Sequence, residues 1–320
     1  MQTFDSLERA ALRGVYLAIG SFDGLHRGHR HLLEKMTQAA QEDGAPAVAL
    51  TFFPHPRVVL GQASRLEARR DDGPPFRYLI PLEERLRLLG EFPLDAVIVQ
   101  PFTPEFSRTA AADFLSLLKT RLGLRSLWCG PNFSLGKGRE GNVAYLTEKS
   151  VGMGFSLYVV PPLTDSTGPI ASSRIRQALA AGDVIGAAEL LGRQFALSGT
   201  VVHGMGRGRT LGFPTANLDF WPELAVPAHG IYAGWVYLAG RRFAGATSIG
   251  VRPTFDNGTA HAATVETHLL DFDGDIYGAN LQFEFVARLR PEIRFPDTAA
   301  LRQQMMKDVA QTRLILQEEP

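Results

Sequence analysis

Apolar runs and helical patterns alternate through the first half of the chain. Val15–Gly20 reads as a buried strand. After a turn, Leu32, Leu33 and Met36 recur at helical spacing. Ala47–Phe52 reads as the next strand, ended by Pro54 and Pro56. A helix over Leu82–Leu89, a strand over Ala96–Val99, a helix over Ala110–Leu122 and a strand over Ser126–Cys129 continue the series. Strands that are apolar throughout and separated by helices predict a parallel sheet covered on both faces, an α/β unit. Residues 61–78, rich in Arg, Asp, Gly and Pro, read as an exposed loop.

The texture changes near Gly192. Ser172–Gly192 reads as two short helices. Strand-like segments then follow at Ala196–Val202, Ile231–Leu238, Phe243–Ile249, Thr264–Asp271 and Leu281–Leu289. Close spacing of this kind predicts a small antiparallel barrel or sandwich, an all-β unit. Asp273-Gly274 reads as a hairpin turn between two of the strands. Residues 297–317 read as a closing amphipathic helix capped by Asp297. The expected division is therefore 1–191 and 192–320.

Composition narrows the class. The 320 residues hold 33 basic and 33 acidic side chains. That balance argues against the diffuse positive field of a nucleic-acid binder. Cys129 is the single cysteine, so no intramolecular disulfide can form. The first residues lack a basic segment followed by an apolar run, and no stretch approaches the ~20 apolar residues of a membrane span. The expectation is a cytoplasmic protein, monomeric or weakly self-associating, with small-molecule partners and neither nucleic acid nor membrane.

Two stretches carry phosphate chemistry. Gly20-Ser21-Phe22-Asp23-Gly24-Leu25-His26-Arg27-Gly28-His29 follows a strand and opens a helix. Glycines there allow close backbone approach to an anion, and the helix start adds N–H donors. His26 and His29 can hold the charge that grows on a triphosphate attacked at its α-phosphorus. Ser172, Ser173, Arg174 and Arg176 combine capping hydroxyls with two cations, a clamp for the outer phosphates; a plain helix cap uses the same residues. Gly130–Gly141, with Asn132, reads as a flexible polar loop suited to a base or ribose. Two histidines without a Cys or carboxylate cluster do not make a zinc site.

The second stretch runs Gly208-Arg209-Thr210-Leu211-Gly212-Phe213-Pro214-Thr215-Ala216-Asn217. It is not a P-loop, since no Gly-Lys-Ser/Thr follows the required spacing. Thr215 and Asn217 are two apart, so an extended backbone sends both side chains to one side. Their oxygens suit Mg²⁺, which keeps waters and substrate phosphates as further ligands. Glu266, in an otherwise weakly polar strand, is placed to take a proton from an alcohol at a barrel mouth. The bland alternative is a solvent-facing glutamate.

Taken together, GSFDGLHRGH, TFFPHPR, GPNF with GREGN, SSRIR, GRTLGFPTANL, SIGVRPTF, VETHLLDFDGDIYG and LRPEIRF occur in one order along nearly the whole chain. In that order they resemble the bifunctional prokaryotic riboflavin kinase/FAD synthetase family. The resemblance implies a Rossmann-like nucleotidyltransferase module followed by a riboflavin kinase β-barrel, with riboflavin, FMN and FAD as substrates and products, ATP as co-substrate and Mg²⁺ as cofactor. It implies that His26 and His29 stabilise adenylyl transfer, within a loop that includes Gly20, Phe22, Asp23 and Gly24. Asn132, Ser172, Ser173 and Arg176 would hold nucleotide or phosphates. Gly208, Arg209 and Gly212 would line the kinase phosphate loop, Thr215 and Asn217 would bind Mg²⁺-ATP, and Glu266 would be the kinase base. Ser21, Asn132, Ala171 and Ser173 depart from the commoner residues of that family. Competing readings are an adenylyltransferase for another acceptor, a flavin sensor with silent pockets, and an RNA-binding relative that shares HxGH.

Overall fold

The computed structural model describes residues 1–61, 76–204, 208, 211–251 and 263–317. The chain forms two compact units, Met1–Ala171 and Ser172–Pro320.

In the first unit the strands are β1 (Gln2–Phe4), β2 (Tyr16–Ile19), β3 (Ala47–Phe53), β4 (Ala96–Pro101), β5 (Ser126–Cys129), the short pair β6 (Ser134–Leu135) and β7 (Gly141–Asn142), β8 (Ser156–Val159), and a second short pair, β9 (Thr164–Asp165) and β10 (Gly168–Pro169). Six of them form one sheet in the order β1-β4-β3-β2-β5-β8, with every neighbouring pair parallel. The strands are apolar at successive positions because both faces are covered. Leu17, Ile19, Val48, Leu50 and Ile98 pack with Phe114, Leu115 and Leu118 of the helix Ala111–Leu122. The intervening Tyr16, Ala18, Ala47, Ala49 and Val97 pack with Leu33, Met36 and Ala40 of the helix Arg27–Glu42 and with Leu88 and Leu89 of the helix Leu82–Leu89. Opposite faces for alternate residues follow from the two-residue strand period.

From β2 the chain adds β3 and β4 on one side, then returns to place β5 on the other. The loops after β2 and β5 thus leave in opposite directions, and the crevice between them at the strands' carboxyl ends is the usual ligand position in such sheets. Strands β1 and β8 escaped the sequence reading; both are short, and β8 is mostly exposed. Of the expected exposed loop over 61–78, residues 62–75 lie outside the described set. Tyr78, however, is buried, with its hydroxyl accepting the His55 N–H at 2.7 Å.

The second unit opens with helices Ser172–Ala181 and Val184–Leu191. Strands β11 (Phe195–Val202), β12 (Ala216–Asp219), β13 (Gly230–Leu238), β14 (Arg241–Val251), β15 (Ala263–Leu269) and β16 (Asn280–Arg290) close into a barrel in the order β11-β12-β15-β14-β13-β16. This resolves barrel against sandwich. The two opening helices pack onto this barrel: Arg288 on β16 donates to the Ala181 carbonyl at the end of the first, and the second lies against β11 and β16. The compact division therefore falls before Ser172, whereas the change in sequence texture comes near Gly192.

The hairpin expected at Asp273-Gly274 is not there. Strands β15 and β16 are not neighbours; β16 pairs with β11 and β13. Local turn chemistry cannot override pairings imposed by barrel closure. A hairpin does join β13 to β14 through Ala239 and Gly240, both at positive φ (49° and 76°), as a type I′ turn requires. The closing helix, Thr298–Gln317, is capped by the Asp297 carboxylate, which accepts the Ala300 N–H at 2.8 Å. Its buried stripe contains Asp308, Thr312 and Leu316, and Asp308 receives two guanidinium nitrogens of Arg290.

Candidate functional site

The first candidate site begins where β2 ends. Gly24 has φ 83°, and two residues with side chains also occupy the left-handed region: Phe22 at 47° and Leu25 at 37°. Bulky residues tolerate such angles only when their surroundings hold them. Both are fully buried in the core beneath the loop, which supplies that hold. Asp23 is also buried; one carboxylate oxygen accepts the Leu79 N–H at 3.0 Å. Gly20 lies under the Phe22 ring, where a Cβ would come within 3.0 Å.

His26 is the N-cap of the helix Arg27–Glu42, and its Nδ1 accepts the His29 N–H at 3.3 Å. In a neutral ring that bond leaves the proton on Nε2. The two imidazoles stack at 3.7 Å between centroids, and Phe22 meets His29 edge-on at 5.4 Å. Burial first, then neighbouring His26 and Arg85, push His29 well below the ordinary histidine range. It is therefore neutral near pH 7, and an approaching polyanion favours its protonation. Gly28, between the histidines, sits in a tight space: a Cβ there would be 3.2 Å from both the His26 ring and the Ile170 carbonyl.

Asn132 follows β5, on the other side of the crevice. It is exposed, and its carbonyl accepts Arg139 Nη2 at 3.3 Å. The segment expected as a flexible loop is instead the β6–β7 ribbon, fastened where Glu140 accepts the Ala111 N–H at 2.7 Å. Ser172, Ser173 and Arg176 begin the first helix of the second unit, with Ser173 exposed and Ser172 and Arg176 partly so.

The second candidate site is assembled by strand register. Asn217 on β12 pairs with Glu266 on β15, and Glu266 pairs in turn with Ser248 on β14. Thr215 precedes β12, with its Oγ1 3.4 Å from Glu266 Oε2. Val265, Thr267 and Leu269 are buried, as are Ala216 and Leu218, so Glu266 and Asn217 belong to the alternate, outer set. The glutamate expected at a barrel mouth stands on the barrel's outer face. Two glycines make room. A Cβ on Gly204 would meet Asn217 Nδ2 at 2.1 Å, and one on Gly208 would meet the Phe213 carbonyl at 2.3 Å and Thr215 Oγ1 at 3.1 Å. Gly212 has φ 86° and is exposed. Arg209 lies outside the described residues. His268 Nδ1 bonds the Pro214 carbonyl at 2.8 Å, tying the entry of β12 to β15. Ser248 and Gly204 were not singled out from the sequence: strand register brings Ser248 to this face, and close approach to the Asn217 side chain brings Gly204.

Three oxygen-bearing groups on one face, with space kept open by glycine, suit a hard divalent cation. Among the described residues no group of three or more His, Cys, Asp or Glu could hold a metal alone. A cation here would need water and substrate oxygens, the normal condition of Mg²⁺.

Comparison with known proteins agrees with this two-site layout. A FAD synthetase family matches residues 8–174, and a riboflavin kinase family matches residues 191–316. The bifunctional riboflavin kinase/FMN adenylyltransferase of Escherichia coli K12 is 36% identical over 305 residues, 95% of this chain and 93% of that protein. The protein of the same description from Listeria monocytogenes is 33% identical over 297 residues, 93% of this chain and 91% of its own length. A crystal structure described as a macrolide-efflux protein from Streptococcus pneumoniae superposes with a TM-score of 0.85 at 28% identity, covering 97% of this chain and 98% of the other. Among the described residues here, no helix is long and apolar enough to cross a membrane.

Proposed function

The chain belongs to the bifunctional riboflavin kinase/FMN adenylyltransferase family, and we propose that the two sites described above carry its two reactions. It is an enzyme that phosphorylates riboflavin to FMN with ATP and then adenylylates FMN to FAD. The observation that carries the residue assignment is the pairing of Glu266 with Asn217 in the ladder, together with the Thr215 hydroxyl 3.4 Å from the Glu266 carboxylate.

In the kinase unit, Glu266 accepts the proton of the riboflavin 5′-hydroxyl. The oxygen attacks the γ-phosphorus of ATP, and ADP leaves. Thr215 and Asn217 orient the phosphates, so most of the rate comes from positioning. Mg²⁺, when bound by Thr215, Asn217 and phosphate oxygens, supplies neutralising charge. Gly208, Arg209 and Gly212 would meet those phosphates.

In the transferase unit the FMN phosphate is already an anion and needs no base. It attacks the α-phosphorus of a second ATP, and pyrophosphate leaves. Nε2–H of His26 and the adjoining His29 offset charge at that phosphorus. Gly20, Phe22, Asp23 and Gly24 shape the loop and Asn132 suits the nucleoside; the Ser172 and Ser173 hydroxyls and the Arg176 guanidinium have the chemistry to hold outer phosphates. The division of labour is residues 1–191 for adenylyl transfer and 192–320 for the kinase. The balance of 33 basic and 33 acidic side chains argues against a nucleic-acid partner; we infer a cytoplasmic monomer or weak homo-oligomer that acts on small molecules and engages no membrane.

The test separates riboflavin, FMN and FAD by chromatography. Glu266→Ala should stop FMN formation and leave FAD synthesis from supplied FMN. His26→Ala with His29→Ala should do the reverse. Kinase turnover unchanged by Glu266→Ala would overturn the base assignment.

A further inference from the structure

We propose that Arg85 is a positioning residue for adenylyl transfer, which holds, through Thr51, the turn bearing His26 and His29. The proposal rests on the assignment of adenylyl transfer to that loop.

Arg85 projects from the helix Leu82–Leu89 and is fully buried. Its Nη1 donates to Thr51 Oγ1 and to the Phe52 carbonyl, both at 3.1 Å. The Thr51 hydroxyl, itself fully buried, spends its one proton on the Ser21 carbonyl at 3.1 Å. Ser21 opens the turn whose next residues include the left-handed Phe22 and Leu25. A guanidinium, a hydroxyl and a carbonyl thus join three parts of the unit: a covering helix, the carboxyl end of β3 and the strained loop.

Packing alone does not account for this arginine. Among the described residues its Nε and Nη2 are buried without a hydrogen-bond partner. Burial works against its charge, with Asp23 and Tyr78 opposing that effect. An apolar side chain of similar volume would avoid the desolvation cost. What an apolar side chain could not do is hold the relay to Ser21 or place positive potential behind the two histidines. That is where a triphosphate gathers negative charge.

The experiment uses the full chain and measures FAD formation from FMN and ATP as separate kcat and KM values. FMN formation from riboflavin, carried by the other unit, reports on intact protein. Arg85→Met should lower the adenylyl-transfer kcat by about 100-fold with little change in KM for ATP, the size expected when reacting groups are misplaced by about an ångström. Thr51→Val should lower it by about tenfold, and the double variant should be no worse than Arg85→Met, since both remove one relay. Arg85→Lys should recover part of the loss, because it restores charge without the guanidinium geometry. If Arg85→Met does not fold, Thr51→Val and Arg85→Lys still decide. Wild-type adenylyl transfer in Thr51→Val, or effects that multiply fully in the double variant, would overturn the relay. A His26→Ala, His29→Ala protein that is inactive while the Arg85 and Thr51 variants are normal sinks this proposal alone; if that protein stays active, the site assignment falls with it.

Discussion

The two sites reach similar phosphate chemistry by opposite constructions. In the first unit the chemistry lies in one short stretch after β2, and its geometry comes from strain. Phe22 and Leu25 are held at unfavourable backbone angles by burial, and the two histidines stack beside a glycine that leaves room for the His26 ring. In the second unit no described residue of the site other than Gly212 has a positive φ. Thr215 and Asn217 come from one segment and Glu266 from another, and the hydrogen-bond ladder sets their separation. A contiguous, strained loop is sensitive to whatever supports it from below. A site set by register is sensitive to what intrudes on its face.

Substitutions at glycine test that contrast most sharply. Gly204→Ala puts a Cβ 2.1 Å from Asn217 Nδ2, so the amide must move. Riboflavin kinase turnover is expected to fall about 100-fold, with adenylyl transfer unchanged, as measured by flavin chromatography. Gly28→Ala is the counterpart in the loop. Its Cβ meets the His26 ring and the Ile170 carbonyl at 3.2 Å, a milder crowding. Adenylyl transfer is expected to drop about tenfold while the kinase is untouched. A loss of both activities in either variant would break the comparison, because it would mean the sites are not independently built.

Smaller effects sharpen it. Ser248 is in register with Glu266 on the outer face. Ser248→Ala is expected to slow the kinase about threefold, the scale of one modest hydrogen bond, in steady-state assays. The loop also leaves a pH signature. His29 is held neutral in the folded unit, its pKa depressed by burial, His26 and Arg85. As pH falls through the ordinary histidine value of about 6.5, the unfolded chain takes up a proton that the folded chain refuses. Stability present above that pH is therefore lost below it. Urea midpoints of the first unit between pH 8 and pH 5 should decline, and His29→Asn should flatten the decline. An unchanged slope would mean that His29 is not buried as a neutral base.

Local pattern was enough to read the two unit types, most elements, and the chemical groups at both sites. Those depend on local periodicity and on short motifs, and local order is what a linear pattern encodes. His26 and His29 were readable because the loop is contiguous, and Asp297 because a cap acts within one turn. Tertiary structure decided what depends on distant partners. Barrel closure kept β15 and β16 apart and voided the Asp273-Gly274 turn, while Ala239-Gly240, with a weaker local signal, became the hairpin. Strand register placed Glu266 on the outer face and added Ser248. Three-dimensional packing alone brought Arg85 and Thr51 beneath the histidine loop, because the side chains joined there come from residues 21, 51 and 85 and no local period relates them.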